Sequence, residues 1–129
     1  ALLVAPAGLT RRIRIEAVAG FAPTDAALLD ETHLLVLHRR FTGAETAAAI
    51  SIVDLAPVLA GGSAAPGRLL ARWGRGSGGG DKWPVDNMEG IALVRRKTGP
   101  SILYLVSDDN FSAAQRTLLL QLEIIAALR

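Results

Sequence analysis

The sequence contains no cysteine, and its 129 residues include only two histidines. A chain without cysteine forms no disulfide, carries no thiolate nucleophile and cannot supply the sulfur ligands of zinc or iron–sulfur sites. These classes of site are excluded. The absence of cysteine does not by itself assign the protein to a cellular compartment.

Strong charge and long apolar runs are also lacking. The net charge is +2, from 14 basic and 12 acidic residues, and aromatic residues make up 5% of the chain. The basic residues are spread along the sequence, so the electrostatic footprint typical of nucleic-acid binding is missing. No apolar run reaches the roughly 18 residues that a membrane span needs. We therefore expect neither nucleic acid nor a membrane as a partner.

The overall composition is typical of one globular domain. Half of the residues are hydrophobic and 20% are charged, which separates the chain from disordered sequences. The sequence begins with Ala1 and not with Met, so we expect a processed product or a piece of a longer protein.

Short apolar runs bounded by turn residues predict β-strands along most of the chain. Alternating polar and apolar residues from Arg12 to Val18 indicate a half-buried strand. Further strands are predicted at residues 34–37, 48–53, 102–106 and 117–124, with a weaker one at 68–73.

Turn residues separate these runs. Asp30-Glu31 predicts a hairpin tip, and Thr42-Gly43 and Lys97 to Pro100 predict two more connections. The Ala-, Gly- and Pro-rich stretch from Pro57 to Gly67 indicates a surface excursion, and Gly74 to Gly80 a flexible loop.

The order of strands and turns repeats once along the chain. An acidic turn, a short strand, a hairpin and a second strand occur from Phe21 onwards and again from Val85 onwards. Four-stranded propeller blades have this order. We therefore predict an all-β fold, a β-propeller fragment of about two to three blades of four-stranded antiparallel sheet. Residues 1–20 would form outer strands of a preceding blade, residues 21–80 one blade and residues 81–129 an incomplete last blade; a compact β domain is the alternative.

The densest polar cluster consists of two acidic turns, Asp86 to Gly90 and Ser107 to Asn110, each at the end of an apolar run. Adjacent strands of one blade would bring both turns to the same end of the sheet. Carboxylate and carbonyl oxygens are the ligands that calcium prefers. The predicted metal ligands are Asp86, Glu89, Asp108 and Asp109, joined by Asp25 from the first repeat. The alternative is turn chemistry, because Asp and Asn side chains also cap turns through their own oxygens.

Four basic side chains could bind a phosphate or carboxylate, namely Arg39, Arg40, Lys82 and Arg116. Arg39 and Arg40 follow a strand directly and must point to opposite faces, so at most one of them can serve a shared site.

Five ordered stretches resemble the phytase-like family, which is described by the esterase-like activity of phytase. They are residues 21–29, 34–41, 85–92, 103–111 and 115–121. The resemblance implies that the whole chain, residues 1–129, is the C-terminal part of one β-propeller, that the protein is secreted or periplasmic, and that it acts on esters. One departure is His38, where the family usually carries Glu.

Two functions follow from the sequence and the resemblance. The first is a hydrolase of phosphate or other esters that is assisted by calcium and takes a small-molecule ester substrate. Its catalytic residues would be Glu89, Asp108 and Arg116, and its substrate-binding residues would be Arg40, Asn87 and Asn110. The second is a non-catalytic propeller that binds a ligand or partner and uses the acidic cluster structurally. In either case the remaining propeller blades of a longer protein are expected partners.

Overall fold

The structure, a computed structural model, describes residues 2–4, 10–75 and 83–125. It has almost only strands, as the sequence predicts. The strands are β1 (Leu2–Val4), β2 (Thr10–Arg12), β3 (Arg14–Ile15), β4 (Ala22–Leu28), β5 (His33–Phe41), β6 (Thr46–Asp54), β7 (Ala64–Ala65), β8 (Gly67–Arg75), β9 (Met88–Val94), β10 (Ser101–Ser107) and β11 (Leu119–Ile124); a single turn of helix, α1 (Ala56–Leu59), follows β6.

Two antiparallel sheets dominate the fold. The first has four strands in the order β4-β5-β6-β8, and the second has three in the order β11-β10-β9. The short strands form two further pairs, β1 with β2 antiparallel and β3 with β7 parallel. A four-stranded antiparallel sheet in the first repeat is the arrangement that the sequence predicts.

Successive side chains of β5 and β6 point to opposite faces of the sheet, so they pack in two different cores. Leu35, Leu37 and Ile50 face the three-stranded sheet and pack with the buried Trp73 and Leu105. The opposite face of the four-stranded sheet packs against the N-terminal segment and α1, in a second core that contains Ile13, Val36, Val53 and Val58. The four-stranded sheet is therefore covered on both faces, which explains the nearly continuous burial of β6.

Two predictions about local structure are wrong. The alternating stretch 12–18 is not one strand, because the chain changes partner at Ile13: β2 pairs with β1, whereas β3 pairs with β7. The stretch 57–67 is not a plain surface excursion, because it holds most of α1 and all of β7. Val58 of α1 is 1% exposed and lies in the second core.

The glycine-rich stretch 74–80 is described only in part. Gly74 and Arg75 belong to β8, where Gly74 is paired with Ala47. A Cβ atom at Gly74 would lie 2.6 Å from the Cβ of Ala47, so the close approach of the two strands requires glycine here. The predicted flexible loop at 76–80 lies outside the described residues.

The hairpin tip between β4 and β5 carries a strongly perturbed carboxylate. Asp30 accepts a hydrogen bond from the backbone N–H of Thr32 at 2.8 Å, and its Oδ1 lies 2.9 Å from Nδ1 of His33. These contacts, the Thr32 backbone bond first, lower the pKa of Asp30 from 3.8 to about 2.

We expect the hairpin tip to lose stability only in strong acid. Because the pKa of Asp30 is lower in the folded chain than in the unfolded one, its stabilisation is complete above pH 4 and is lost as pH falls towards 2. Carbon-13 NMR titration of the Asp30 carboxyl should give a midpoint near 2, and His33→Gln should raise it. A wild-type midpoint at the ordinary value would contradict this assignment.

Candidate functional site

The two predicted acidic turns lie side by side at one end of the three-stranded sheet, although Met88 to Gly90 belong to strand β9 and Ser107 belongs to β10. The backbone N–H of Asp108 donates to the carbonyl of Asn87 at 3.0 Å, and Ser107 is the strand partner of Met88. The hydroxyl of Ser107 donates to the carbonyl of Arg116 at 2.7 Å, which brings the segment before β11 to the same place. The fold therefore brings together the segments around Asn87, Asp108 and Arg116, all of which carry residues that the sequence predicts for the site.

Asp86 is buried and holds two of these segments together. One of its carboxylate oxygens accepts the N–H of Asn87 at 3.0 Å, and the other accepts the N–H of Arg116 at 3.1 Å. The Arg116 side chain is 55% exposed, and its Nε lies 3.8 Å from the second oxygen. The position of Asp86 therefore fits a structural clamp between the turn and the start of β11.

Replacing Asp86 should destabilise the fold. In Asp86→Asn one of the two backbone N–H groups would face an amide NH2 and lose its acceptor, at a cost of about 1–3 kcal/mol in the free energy of unfolding. Urea denaturation measures this change. The matched control is Asp109→Asn, since a single oxygen of Asp109 accepts one N–H, from Phe111, and asparagine can keep that bond. Equal stability of the two variants would rule out the clamp.

Asp108, Asp109 and Asn110 form a tight turn that is held by its own side chains. Asp108 accepts the N–H of Asn110 at 3.1 Å, and the Asn110 amide donates to Gln115 at 3.0 Å. Asn110 and Phe111 both have positive φ, at 49° and 55°. A bulky residue in that region is strained, and the turn's side-chain bonds hold it there. The Asp and Asn side chains thus cap their own turn, which is the structural alternative to calcium binding.

Asp25 links the two sheets. Its Oδ2 accepts the N–H of Ile91 at 2.8 Å, and its Oδ1 accepts the N–H of Ala26 at 2.8 Å. Strands β4 and β9, the first strands of the two repeats, therefore lie next to each other. Both carboxylate oxygens of Asp25 already bind backbone.

Glu89 differs from the other predicted acidic ligands, because the contact it makes within the described part of the chain is an ion pair with a side chain. Val106 pairs with Gly90 and Ser107 with Met88, so Glu89 is the extra residue of a β-bulge in β9. Bulges re-aim side chains and are common next to active sites. Here Oε1 of Glu89 lies 3.2 Å from Nη1 of Arg39, and both side chains remain about two-fifths exposed.

Asn87 completes this group. Its Oδ1 accepts a hydrogen bond from Nη1 of Arg39, so the guanidinium contacts both Asn87 and Glu89. The amide nitrogen of Asn87 is buried and has no hydrogen-bond partner among the described residues. A buried donor without an acceptor is rare in folded proteins. In the described residues, the Arg39–Asn87–Glu89 group therefore combines one buried donor that lacks an acceptor with a guanidinium and a carboxylate that are partly exposed.

Arg40 lies on the other face of β5. Its Nη2 is 3.3 Å from Glu45, which also pairs with Arg72 at 3.6 Å. Strand alternation places Arg39 in the same row as Leu35 and Leu37, towards the three-stranded sheet, and Arg40 in the row of Val36 and His38. The sequence prediction selects Arg40 for the substrate. Alternation alone does not distinguish the two arginines, because Leu34 and Val36 precede Arg40 in its row as Leu35 and Leu37 precede Arg39. Lys82 lies outside the described residues.

The predicted calcium ligands do not gather around one point. In residues 10–75 and 83–125, no three Asp, Glu or His side chains form a group that could hold a metal ion. Asp25, Asp86, Asp108 and Asp109 each bind backbone N–H groups instead. The donor set therefore does not fit a calcium site as it stands. In the same residues no helix has the length and apolarity needed to cross a membrane.

Comparison with known families matches residues 5–111 to the model of the phytase-like family, described as the esterase-like activity of phytase. The chain belongs to the phytase-like family. The matched region contains the whole four-stranded sheet and the Arg39–Asn87–Glu89 group, and it ends before Arg116. This confirms the family that the sequence stretches resemble. Searches of curated proteins and of solved structures each gave no match.

Proposed function

We propose that this phytase-like protein hydrolyses small phosphate or carboxylic esters at the Arg39–Asn87–Glu89 group. The observation that carries the proposal is the buried amide nitrogen of Asn87, which lacks an acceptor in the described residues and belongs to the side chain that contacts the exposed Arg39 guanidinium. Two such donors suit an oxygen on which negative charge develops. Family membership supports the same class of reaction.

In this proposal some residues bind the ester and stabilise the developing charge, and another transfers a proton. Arg39 and the Asn87 amide would donate hydrogen bonds to an ester oxygen and hold the growing negative charge. Glu89 would accept a proton from the water that attacks the carbonyl carbon or the phosphorus. The leaving alcohol would then take a proton from solvent, because the site is open. The anion-binding role that the sequence assigned to Arg40 passes to Arg39 in this proposal, and Arg116 and Asp108 take no step in it.

The proposal is tested by replacing Arg39. Arg39→Gln should lower kcat/KM for p-nitrophenyl acetate or p-nitrophenyl phosphate by about tenfold to a hundredfold, because a charged donor to the developing oxyanion is lost. Arg96→Gln is the matched control, since Arg96 also forms an ion pair with a glutamate, Glu123, at 2.6 Å. Equal rates in the two variants would refute the assignment.

Calcium assistance stays a prediction from the sequence and the resemblance, and no step above passes through a metal. The same assay with EDTA and then with added calcium tests it. A rate lost on chelation and restored by calcium would support the metal. The calcium ligands would then be carboxylates that give up their hydrogen bonds to backbone N–H groups in order to bind the ion.

A non-catalytic binding module is the second candidate. It is favoured by the number of predicted site carboxylates that bind backbone, Asp25 and Asp86 with both oxygens. Ester hydrolysis no faster than the buffer across both substrates would select this candidate.

The propeller architecture and the secreted or periplasmic location are proposed on the family resemblance. The outer face of the three-stranded sheet supports the propeller architecture, because three apolar side chains on adjacent strands are exposed there: Val94, Val106 and Leu119. Another blade would cover such a face. Cell fractionation of the source organism tests the location.

A further inference from the structure

The Asp25 carboxylate of β4 is bonded to β9, the strand that carries Glu89. Strands β4 and β9 belong to different sheets, so contacts other than strand pairing set their relative position. One such contact comes from Oδ2 of Asp25, which accepts the backbone N–H of the buried Ile91 at 2.8 Å. Ile91 lies two residues after Glu89, so Asp25 holds β9 close to its bulge.

The same carboxylate lies beside the residue that follows Glu89. A Cβ atom added to Gly90 would lie 3.9 Å from Oδ2 of Asp25 and 2.7 Å from Cγ1 of Val106. Strand β4 has its own register shift, between Pro23 and Asp25. Both carboxylates therefore lie at irregular positions of their strands, where bulges re-aim side chains.

Asp25 is also fixed to the strand that carries Arg39. It is the strand partner of Leu37 in β5, and Arg39 lies two residues further along β5, in the same row of side chains as Leu37. The hydrogen bond from Ile91 therefore ties the β4–β5 pair, which holds Arg39, to β9, which holds Glu89. The position of β9 against this pair sets the 3.2 Å distance between Nη1 of Arg39 and Oε1 of Glu89.

We propose that Asp25 is a positioning residue of the hydrolytic site, whose hydrogen bond to the Ile91 N–H holds the bulge so that the Glu89 carboxylate faces Arg39. The inference rests on the proposed function, and it gives Asp25 a role other than that of a calcium ligand. Asp25 itself neither binds the ester nor transfers a proton. Without its bond β9 can shift, and a displacement of about 1 Å can cost about 10²-fold in rate.

A second contact between the same two segments supplies the matched control. In the part of the chain that the structure describes, Arg95 follows β9 and donates from Nη2 to the carbonyls of Leu28 and Leu29, at 3.0 and 2.8 Å. It joins the same segments as Asp25 does, but it lies six residues from Glu89. Arg95→Ala therefore removes a link between the sheets without touching the bulge.

Steady-state kinetics with p-nitrophenyl acetate separate positioning from a merely structural role. Asp25→Ala should lower kcat by about tenfold to a hundredfold and leave KM nearly unchanged, whereas Arg95→Ala should keep the wild-type kcat. Asp25→Asn should retain most of the rate, because its carbonyl oxygen can accept the Ile91 N–H while water serves the exposed N–H of Ala26. Equal kcat in the two alanine variants, or an equal loss in Asp25→Asn and Asp25→Ala, would overturn the proposal.

Nitrogen-15 NMR of the Arg39 guanidinium tests the positioning without any substrate. The Nε–Hε signal of Arg39, assigned with Arg39→Lys, should move in Asp25→Ala towards its position in Glu89→Gln and stay at the wild-type position in Arg95→Ala. An unmoved signal in Asp25→Ala contradicts the proposal. A moved signal together with no ester hydrolysis by the wild type would refute the proposed function and support the positioning of Glu89 by Asp25.

A second variant serves if Asp25→Ala does not fold. Because the Asp25 side chain is exposed, we expect replacements here to fold. Asp25→Glu keeps the charge and both acceptor oxygens but is longer by one methylene, so it should displace β9 and move the Arg39 signal as well. A signal at the wild-type position in Asp25→Glu would then count against the proposal.

Discussion

Glu89→Gln is expected to lower kcat/KM for ester hydrolysis by about 10²- to 10⁴-fold, the usual effect of removing a general base. Glutamine keeps the size of the side chain and can still accept a hydrogen bond from Arg39, but it cannot take a proton from water. Because Glu89 is partly exposed and sits on a bulge, the exchange should leave the fold intact. Steady-state kinetics with p-nitrophenyl acetate measure the loss.

Glu123→Gln is the matched control for this exchange. Glu123 lies on β11 of the same sheet and pairs with Arg96, so the variant also removes one Arg–Glu ion pair. Its activity should equal that of the wild type. A comparable loss in both variants would mean that ion-pair disruption, and not proton transfer, explains the effect of Glu89→Gln.

Trp73→Ala is expected to have the largest effect on stability. Trp73 is 1% exposed, packs edge-to-face against Trp83 at 5.3 Å and donates from Nε1 to the carbonyl of Pro84 at 3.3 Å. It belongs to the core between the two sheets, which cannot collapse fully around so large a loss. The free energy of unfolding should fall by about 3–5 kcal/mol.

Urea denaturation followed by circular dichroism measures this loss without relying on tryptophan fluorescence. Phe41→Ala serves as the control, because Phe41 is 68% exposed and its removal should change stability by no more than about 0.5 kcal/mol. If Trp73→Ala unfolds as the wild type does, the two sheets do not share the core described above.

The strands and hairpins could be predicted because their signals are local. The turn at Asp30-Glu31 and the connections at Thr42-Gly43 and Lys97 to Pro100 lie where the chain reverses. The interruption at Ile13 cannot be predicted from the alternating pattern, because β3 pairs with β7, a segment far along the chain. An alternating pattern is satisfied equally by one strand or by two with different partners.

The candidate site was predictable in position but not in detail. The acidic turns could be brought together because adjacent strands carry them. What each carboxylate binds could not be read from the sequence, since Asp25 and Asp86 accept backbone N–H groups from segments far along the chain. The bulge at Glu89 also leaves no mark in the pattern, although it aims the side chain at Arg39.

A double-mutant cycle on Arg39 and Glu89 tests the central claim most directly. Wild type, Arg39→Gln, Glu89→Gln and the double variant are compared by kcat/KM on one ester substrate. If the two residues act as one hydrolytic unit, the double variant should lose little more than Glu89→Gln alone, because residues that act as a unit are strongly non-additive. Losses that simply multiply, or a wild-type rate no faster than the buffer, would contradict the claim.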